Sequence, residues 1–104
     1  MMPPNKMLMI FVDESDQFED LPLYEAILRR LVKLEIAGAT VQAGIMGYGS
    51  HHRIHRKRLF GVSDDRPMTI LVVDEEERLR RAIPEIRAIV KDCLLLLTSV
   101  EAIQ

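Results

Sequence analysis

Three apolar runs and one alternating run divide the chain into predicted strands. Residues 7–13 (MLMIFVD), 68–73 (MTILVV) and 93–100 (CLLLLTSV) show little alternation, which predicts strands buried on both faces. In residues 39–46 apolar and polar side chains alternate, which predicts a half-buried strand at the edge of a sheet.

Two further stretches have the periodicity of helices. Residues 21–36 place leucine and isoleucine side chains on one stripe, with Asp20 as the predicted N-cap and Pro22 in the first turn. Gly38 is predicted to end this helix.

The second helix is predicted to follow the 68–73 strand, with an apolar stripe that runs from Leu79 to Val90. Asp74 and Glu77 have the spacing of a capping box at its start. Pro84 lies inside the stripe, which predicts a kink or a division into two shorter helices.

The resulting order β–α–β–β–α–β predicts a single α+β domain over residues 1–104. Two βαβ units joined by a hairpin give a ferredoxin-like sandwich, in which both helices cover one face of a four-stranded antiparallel sheet. The other face should then meet water, yet three of the four strands do not alternate. Identical subunits are therefore expected to cover it.

Composition narrows the class of protein. The 104 residues are 48% hydrophobic and 29% charged, with a formal net charge of −2, which argues against general nucleic-acid binding. The single cysteine, Cys93, excludes an internal disulfide framework and is expected to be a small buried hydrophobe. No export signal or membrane-spanning run is visible, so we expect a cytoplasmic protein without membrane insertion.

One segment is strongly basic, although the chain as a whole is slightly acidic. Residues 47–58, GYGSHHRIHRKR, hold all three histidines and four of the fourteen Lys and Arg residues. They open a connection of about twenty residues, 47–66, between the second and third strands, and connections of this length in compact domains are usually functional or disordered.

Anion binding is one of two interpretations of this segment that the residues support about equally, because glycines let backbone N–H groups approach an anion and arginine forks pair with phosphate. The candidate ligand-binding residues are Gly44, Gly47, Gly49, Ser50, Arg53, His55, Arg56 and Arg58, with Lys57 and Arg66 as further cations. The spacing matches neither a P-loop nor a dinucleotide fingerprint. The alternative is that the glycines only bend the hairpin and the charges are solvated.

Three other kinds of site could use residues of the same segment: a metal site, a nucleic-acid site and a catalytic site. His51 and His55 share a helical spacing, but the neighbouring cations oppose a metal ion. Tyr48 and Phe60 offer little stacking for a nucleic acid. Ser50 beside two histidines lacks the strand–nucleophile–helix elbow of a hydrolase. We therefore expect no metal, no nucleic acid and no catalytic residue here.

Four stretches together resemble the PII-like proteins of unknown function, bacterial and archaeal relatives in fold of the nitrogen-regulatory PII signalling proteins. They are ESD (14–16), PLYEAIL (22–28), GATVQAGIMGYGSHHRIH (38–55) and VVDEEERL (72–79). The resemblance implies a ferredoxin-like fold, a homotrimer, and signalling instead of catalysis. It does not extend to the sequence around the modified loop tyrosine of PII proteins, so uridylylation is not carried over to Tyr48.

In PII proteins an adenine nucleotide between subunits sets the conformation of the loop that recognises a target protein. By analogy we expect an adenine nucleotide or similar ligand, and a loop over 47–66 that contacts an unidentified partner, membrane proteins included. One alternative is a trimer whose loop binds its partner without a ligand. Another is a metal-responsive trimer of the copper-tolerance type.

Overall fold

The computed structural model describes residues 4–48, 55–56 and 65–103. In chain order the elements are β1 (Asn5–Asp13), β2 (Gln17–Phe18), β3 (Leu21–Pro22), α1 (Leu23–Lys33), β4 (Ala39–Ala43), β5 (Met46–Gly47), β6 (His55–Arg56), β7 (Pro67–Glu75), α2 (Glu76–Ile89) and β8 (Leu94–Ser99).

The main sheet has four antiparallel strands in the order β4-β7-β1-β8, which is the ferredoxin-like order. The predicted α+β sandwich is therefore confirmed, and β4 lies at a sheet edge as expected. Asp13 at the end of β1 pairs with Pro67 at the start of β7. This register places the turn after β1 beside the point where the 47–66 connection returns to the sheet.

The core lies between one face of the sheet and both helices. Leu8 and Ile10 of β1 and Ile70 of β7 are fully buried, as are Ile27 of α1 and Leu79 of α2. Full burial of one such side chain stabilises the fold by about 1.5–3 kcal/mol. Alternate residues of the apolar strands therefore hold both helices on the same side of the sheet.

The first helix begins at Leu23, later than predicted, because residues 21–22 pair with β2 instead. Pro22 is the N-cap residue and makes no side-chain cap hydrogen bond. The prediction of Asp20 as the cap is therefore wrong: the short β2–β3 ribbon, and not a capping side chain, leads into α1.

The first helix also ends earlier than predicted, at Lys33. Glu35 has the left-handed φ of 59°, and its N–H donates to Val32 O at 3.0 Å, while Ile36 N donates to Leu31 O at 3.1 Å. These two bonds form a Schellman motif, which satisfies the last carbonyls of the helix. Glu35 therefore takes the position expected of Gly38.

At the start of α2 the predicted capping box does not form. Asp74 is only 8% exposed, and its carboxylate accepts from Ala37 N at 2.9 Å and Arg78 Nε at 3.1 Å. It thus ties the α1–β4 connection to α2 instead of capping a helix with Glu77. The helix continues through Pro84, so the predicted division into two helices is wrong.

The second strand, β4, is shorter than the predicted range 39–46, because it ends at Ala43. Ile45 is 86% exposed and does not continue the buried side of Val41. Among the described residues, no helix has the length and apolar character needed to cross a membrane.

Candidate functional site

The chain enters the 47–66 connection through Gly44–Gly47 and leaves it through Asp65–Arg66, and these two arms meet at Pro67. Gly44 N donates to Pro67 O at 2.6 Å, and a Cβ atom on Gly44 would lie 2.8 Å from Pro67 Cγ. A Cβ atom on Gly47 would lie 3.3 Å from the same carbon. Close approach to the proline ring is thus a structural reason for both glycines, and their role in anion binding stays a prediction.

The connection contains a small ribbon of its own, in which β5 pairs with β6 so that Gly47 lies opposite His55 and Met46 opposite Arg56. The structure thereby brings together three candidate residues, Gly44, Gly47 and His55, near the base of the connection. The side chains of His55 and Arg56 are not described, and the remaining candidates lie outside the described residues: Gly49, Ser50, Arg53 and Arg58.

Arg66, beside Pro67, is held by a carboxylate from the turn after β1. Arg66 Nε donates to Glu14 Oε1 at 3.0 Å, and Arg66 Nη2 donates to Glu14 Oε2 at 2.6 Å. The backbones also pair, since Glu14 N donates to Arg66 O at 2.9 Å. The guanidinium fork considered as a phosphate ligand is therefore occupied by an internal carboxylate.

A second bond fastens the same turn to the returning arm, because Ser15 N donates to Asp65 Oδ1 at 3.1 Å. The turn is braced from within, since Asp13 N donates to Asp16 Oδ2 at 2.9 Å and Leu23 N to Asp16 O at 2.7 Å. A series of hydrogen bonds therefore links the returning arm at Asp65 and Arg66 to the start of α1.

The electrostatics of this contact favour the charged pair. The hydrogen bond from Arg66 holds the pKa of Glu14 below its usual value, against an opposing contribution from burial and from Asp65. The side chains of Glu14 and Arg66 keep 21% and 30% of their surface exposed, so the pair is partly open to solvent in the single chain.

Sequence reasoning did not identify Glu14 as the partner of Arg66. The sequence suggests only that the acids of residues 13–20 lie close to the basic segment as a group, without a specific pair. The available signal was topological: antiparallel pairing of the first and third strands places the end of one beside the start of the other.

The sheet face away from the helices is apolar and open in the single chain. Met9 lies between Leu71 of β7 and Leu96 of β8, and Phe11 lies beside Leu94. Leu94 and Leu96 are 59% and 43% exposed. We call this surface, with Met7 and Val73, the open sheet face. Because these strands do not alternate, as predicted, their apolar side chains form a patch that extends to the β8 edge.

Other groups give less chemical information. Within the described part of the chain, no cluster of three His, Cys, Asp or Glu side chains could hold a metal ion. Partial burial raises the pKa of the Cys93 thiol, and the side chain packs against the core, as expected of a small hydrophobe. The histidine cluster itself lies outside the residues whose side chains are described.

Comparisons with known proteins agree with this architecture. The model of the DUF190 family, described as Uncharacterized ACR, matches residues 5–102. A UPF0166 protein of Aquifex aeolicus is 37% identical over 82 residues, covering 79% of this chain and 78% of the relative. A UPF0166 protein of Methanocaldococcus jannaschii is 36% identical over 87 residues, covering 84% and 80%.

Two kinds of solved structure share the fold. CPII, a nitrogen regulatory PII-like protein from Thiomonas intermedia K12 bound to ADP, AMP and bicarbonate, superposes with a TM-score of 0.70 at 15% identity, covering 95% of this chain and 94% of that one. The divalent ion tolerance protein CutA1 from Ehrlichia chaffeensis gives 0.67 at 16% identity, covering 100% and 88%. At these identities the likeness concerns the fold.

Proposed function

Because the chain belongs to the DUF190 family and has the PII-like fold, we propose that it is a regulatory protein that senses a phosphate-bearing ligand, with an adenine nucleotide as the first candidate. The ligand would lie at the base of the 47–66 connection, between subunits, and would set the shape that this connection presents to a partner. No catalytic step is part of the proposal.

The observation that carries the proposal is the meeting of both arms of the connection at Pro67. Gly44 and Gly47 approach the proline from one arm, and Arg66 precedes it on the other. A ligand bound there would touch both arms at once, so its binding energy could select one arrangement of the connection. CPII, which shares the fold, binds ADP and AMP, and this supports a nucleotide as the first ligand to test.

Assembly as a homotrimer is the second part of the proposal. The open sheet face presents contiguous apolar side chains on β1, β7 and β8, and a patch of this kind is typical of an interface between subunits. Light scattering at micromolar concentration should give three times the 11.9 kDa chain mass. A monomeric mass would contradict this part.

The partner would be a protein in the cytoplasm or the cytoplasmic side of a membrane protein, recognised by the 47–66 connection. Its cations, which include Arg53, Arg56 and Arg58, favour an acidic surface on that partner. Capture by immobilised protein with and without added nucleotide would test whether the ligand controls the interaction.

Thermal-shift measurements with AMP, ADP, ATP, cyclic AMP and cyclic di-AMP test ligand sensing directly. Binding to the folded state raises the melting temperature in proportion to the logarithm of ligand concentration above Kd. We expect at least one of these nucleotides to give a saturable increase at micromolar to millimolar concentration. If none does, nucleotide sensing is wrong, and a ligand-independent interaction module becomes the better proposal.

The similarity to CutA1, a divalent ion tolerance protein, supports metal response as the second candidate function. It would require the histidines, His51 and His55 above all, to coordinate the ion. Metal analysis of the purified protein before and after replacement of both histidines by alanine would distinguish the two candidates, since nucleotide sensing predicts no loss of bound metal.

A further inference from the structure

The contact between Glu14 and Arg66 joins the returning arm of the 47–66 connection to the turn after β1. Arg66 ends the 47–66 connection, while Glu14 lies in the turn between β1 and β2, which leads through Asp16 into α1. Two bonds between the side chains, one from Arg66 N to Glu14 Oε1 and one between the backbones link the two residues at the end of the sheet. A change in this contact would therefore reach both the connection and the first helix.

Chemically, the Glu14 carboxylate resembles the group that the site is proposed to bind. A guanidinium fork accepts a carboxylate and a phosphate in the same two-bond geometry. Glu14 presents its two oxygens to Arg66 Nε and Nη2, at 3.0 and 2.6 Å. The position of a ligand's phosphate oxygens at Arg66 is thus taken by a side chain of the protein.

We infer that Glu14 is an internal competitor for the anion site: a phosphate group that binds at the Gly44–Gly47 side of Pro67 takes Arg66 from Glu14. Release of Glu14 then removes the side-chain part of the link between the turn after β1 and the returning arm, while the bonds Glu14 N to Arg66 O and Ser15 N to Asp65 Oδ1 remain. The inference rests on the proposed function and deepens it, because it assigns the step by which ligand binding is transmitted. The two states differ in which anion Arg66 pairs with, which gives the ligand the differential contact that a population shift requires.

Removal of the competitor should strengthen ligand binding. We expect Glu14→Gln to lower the Kd for ADP about threefold to fivefold, the range set by a partly exposed ion pair. The matched control is Glu25→Gln, because Glu25 also pairs with an arginine, Arg29, at 2.9 Å but lies on α1 away from the connection. It should leave the Kd unchanged.

A double-mutant cycle separates competition from a general gain in positive charge. In an Arg66→Gln background the benefit of Glu14→Gln should disappear, since the residue for which Glu14 competes is gone. If the Kd is unaffected by Glu14→Gln, or if the benefit persists without Arg66, the inference is wrong. Urea unfolding of each variant verifies that the fold is retained.

A second probe keeps the test independent of nucleotide sensing. Inorganic pyrophosphate carries the same phosphate oxygens without the base, and its effect on melting temperature can be measured in the same four variants. If no nucleotide binds but pyrophosphate stabilises Glu14→Gln more than the wild type, the sensing proposal fails while the competitor stands. If pyrophosphate affects both equally, the competitor is overturned.

Discussion

Replacement of Leu96 by glutamate should prevent assembly through the open sheet face while leaving the single chain folded. Leu96 is 43% exposed, and its register partner Met9 lies on the same face, so the new side chain would not enter the core. Covering the exposed part of this leucine in a trimer contributes about 1 kcal/mol per subunit. The substitution removes this contribution and adds a charge that must be desolvated.

The cost of removing the glutamate charge from water decides whether the trimer forms, because an uncompensated charge in an interface costs several kcal/mol. With three copies in a trimer, the loss of assembly free energy reaches roughly 10 kcal/mol, or about seven powers of ten in the dissociation constant. Light scattering at micromolar concentration should then give the 11.9 kDa monomer, with an unchanged circular dichroism spectrum.

The matched control is Val32→Glu, because Val32 is 72% exposed but lies on α1, on the opposite layer. This variant should assemble like the wild type. If Leu96→Glu keeps the wild-type mass, or if both variants lose it, the open sheet face is not the subunit interface.

Two further predictions concern the base of the connection. Gly44→Ala should lower the free energy of unfolding by about 1–3 kcal/mol, because the new Cβ would lie 2.8 Å from Pro67 Cγ. Gly38→Ala is the control and should not lower it, because a Cβ there meets no atom within 4 Å. Urea unfolding of both variants tests this. The ion pair of Glu14 and Arg66 should stabilise the protein above the unfolded-state pKa of Glu14, near 4.5, and lose this effect as pH falls through the lowered pKa of the folded state. The stability difference between the wild type and Glu14→Gln should therefore shrink on acidification, and a constant difference would contradict this assignment.

The parts of the fold that depend on burial could be predicted from the sequence. Alternate residues of β1 and the stripes of both helices are buried, and the strand order follows from two βαβ units; burial of the second face of β1, which its continuous apolar run also predicts, would need a partner subunit. The helix ends could not be predicted, because they are set by local backbone geometry and by tertiary contacts that the apolar periodicity does not contain. Residues 21–22 pair with β2, Glu35 takes the left-handed position, and Asp74 is used by Ala37 N and Arg78 instead of by a helix start.

In the candidate site, too, the sequence predicts the kind of residues present but not the contacts that they make. Glycines beside a basic segment predict an anion site, but the pattern contains no information about what already contacts them. In the structure Gly44 is required by Pro67, and Arg66 is occupied by Glu14, a residue more than fifty positions away in the chain. In the proposed competition, an anion that binds Arg66 displaces this carboxylate, so its affinity depends on the difference between two similar interactions.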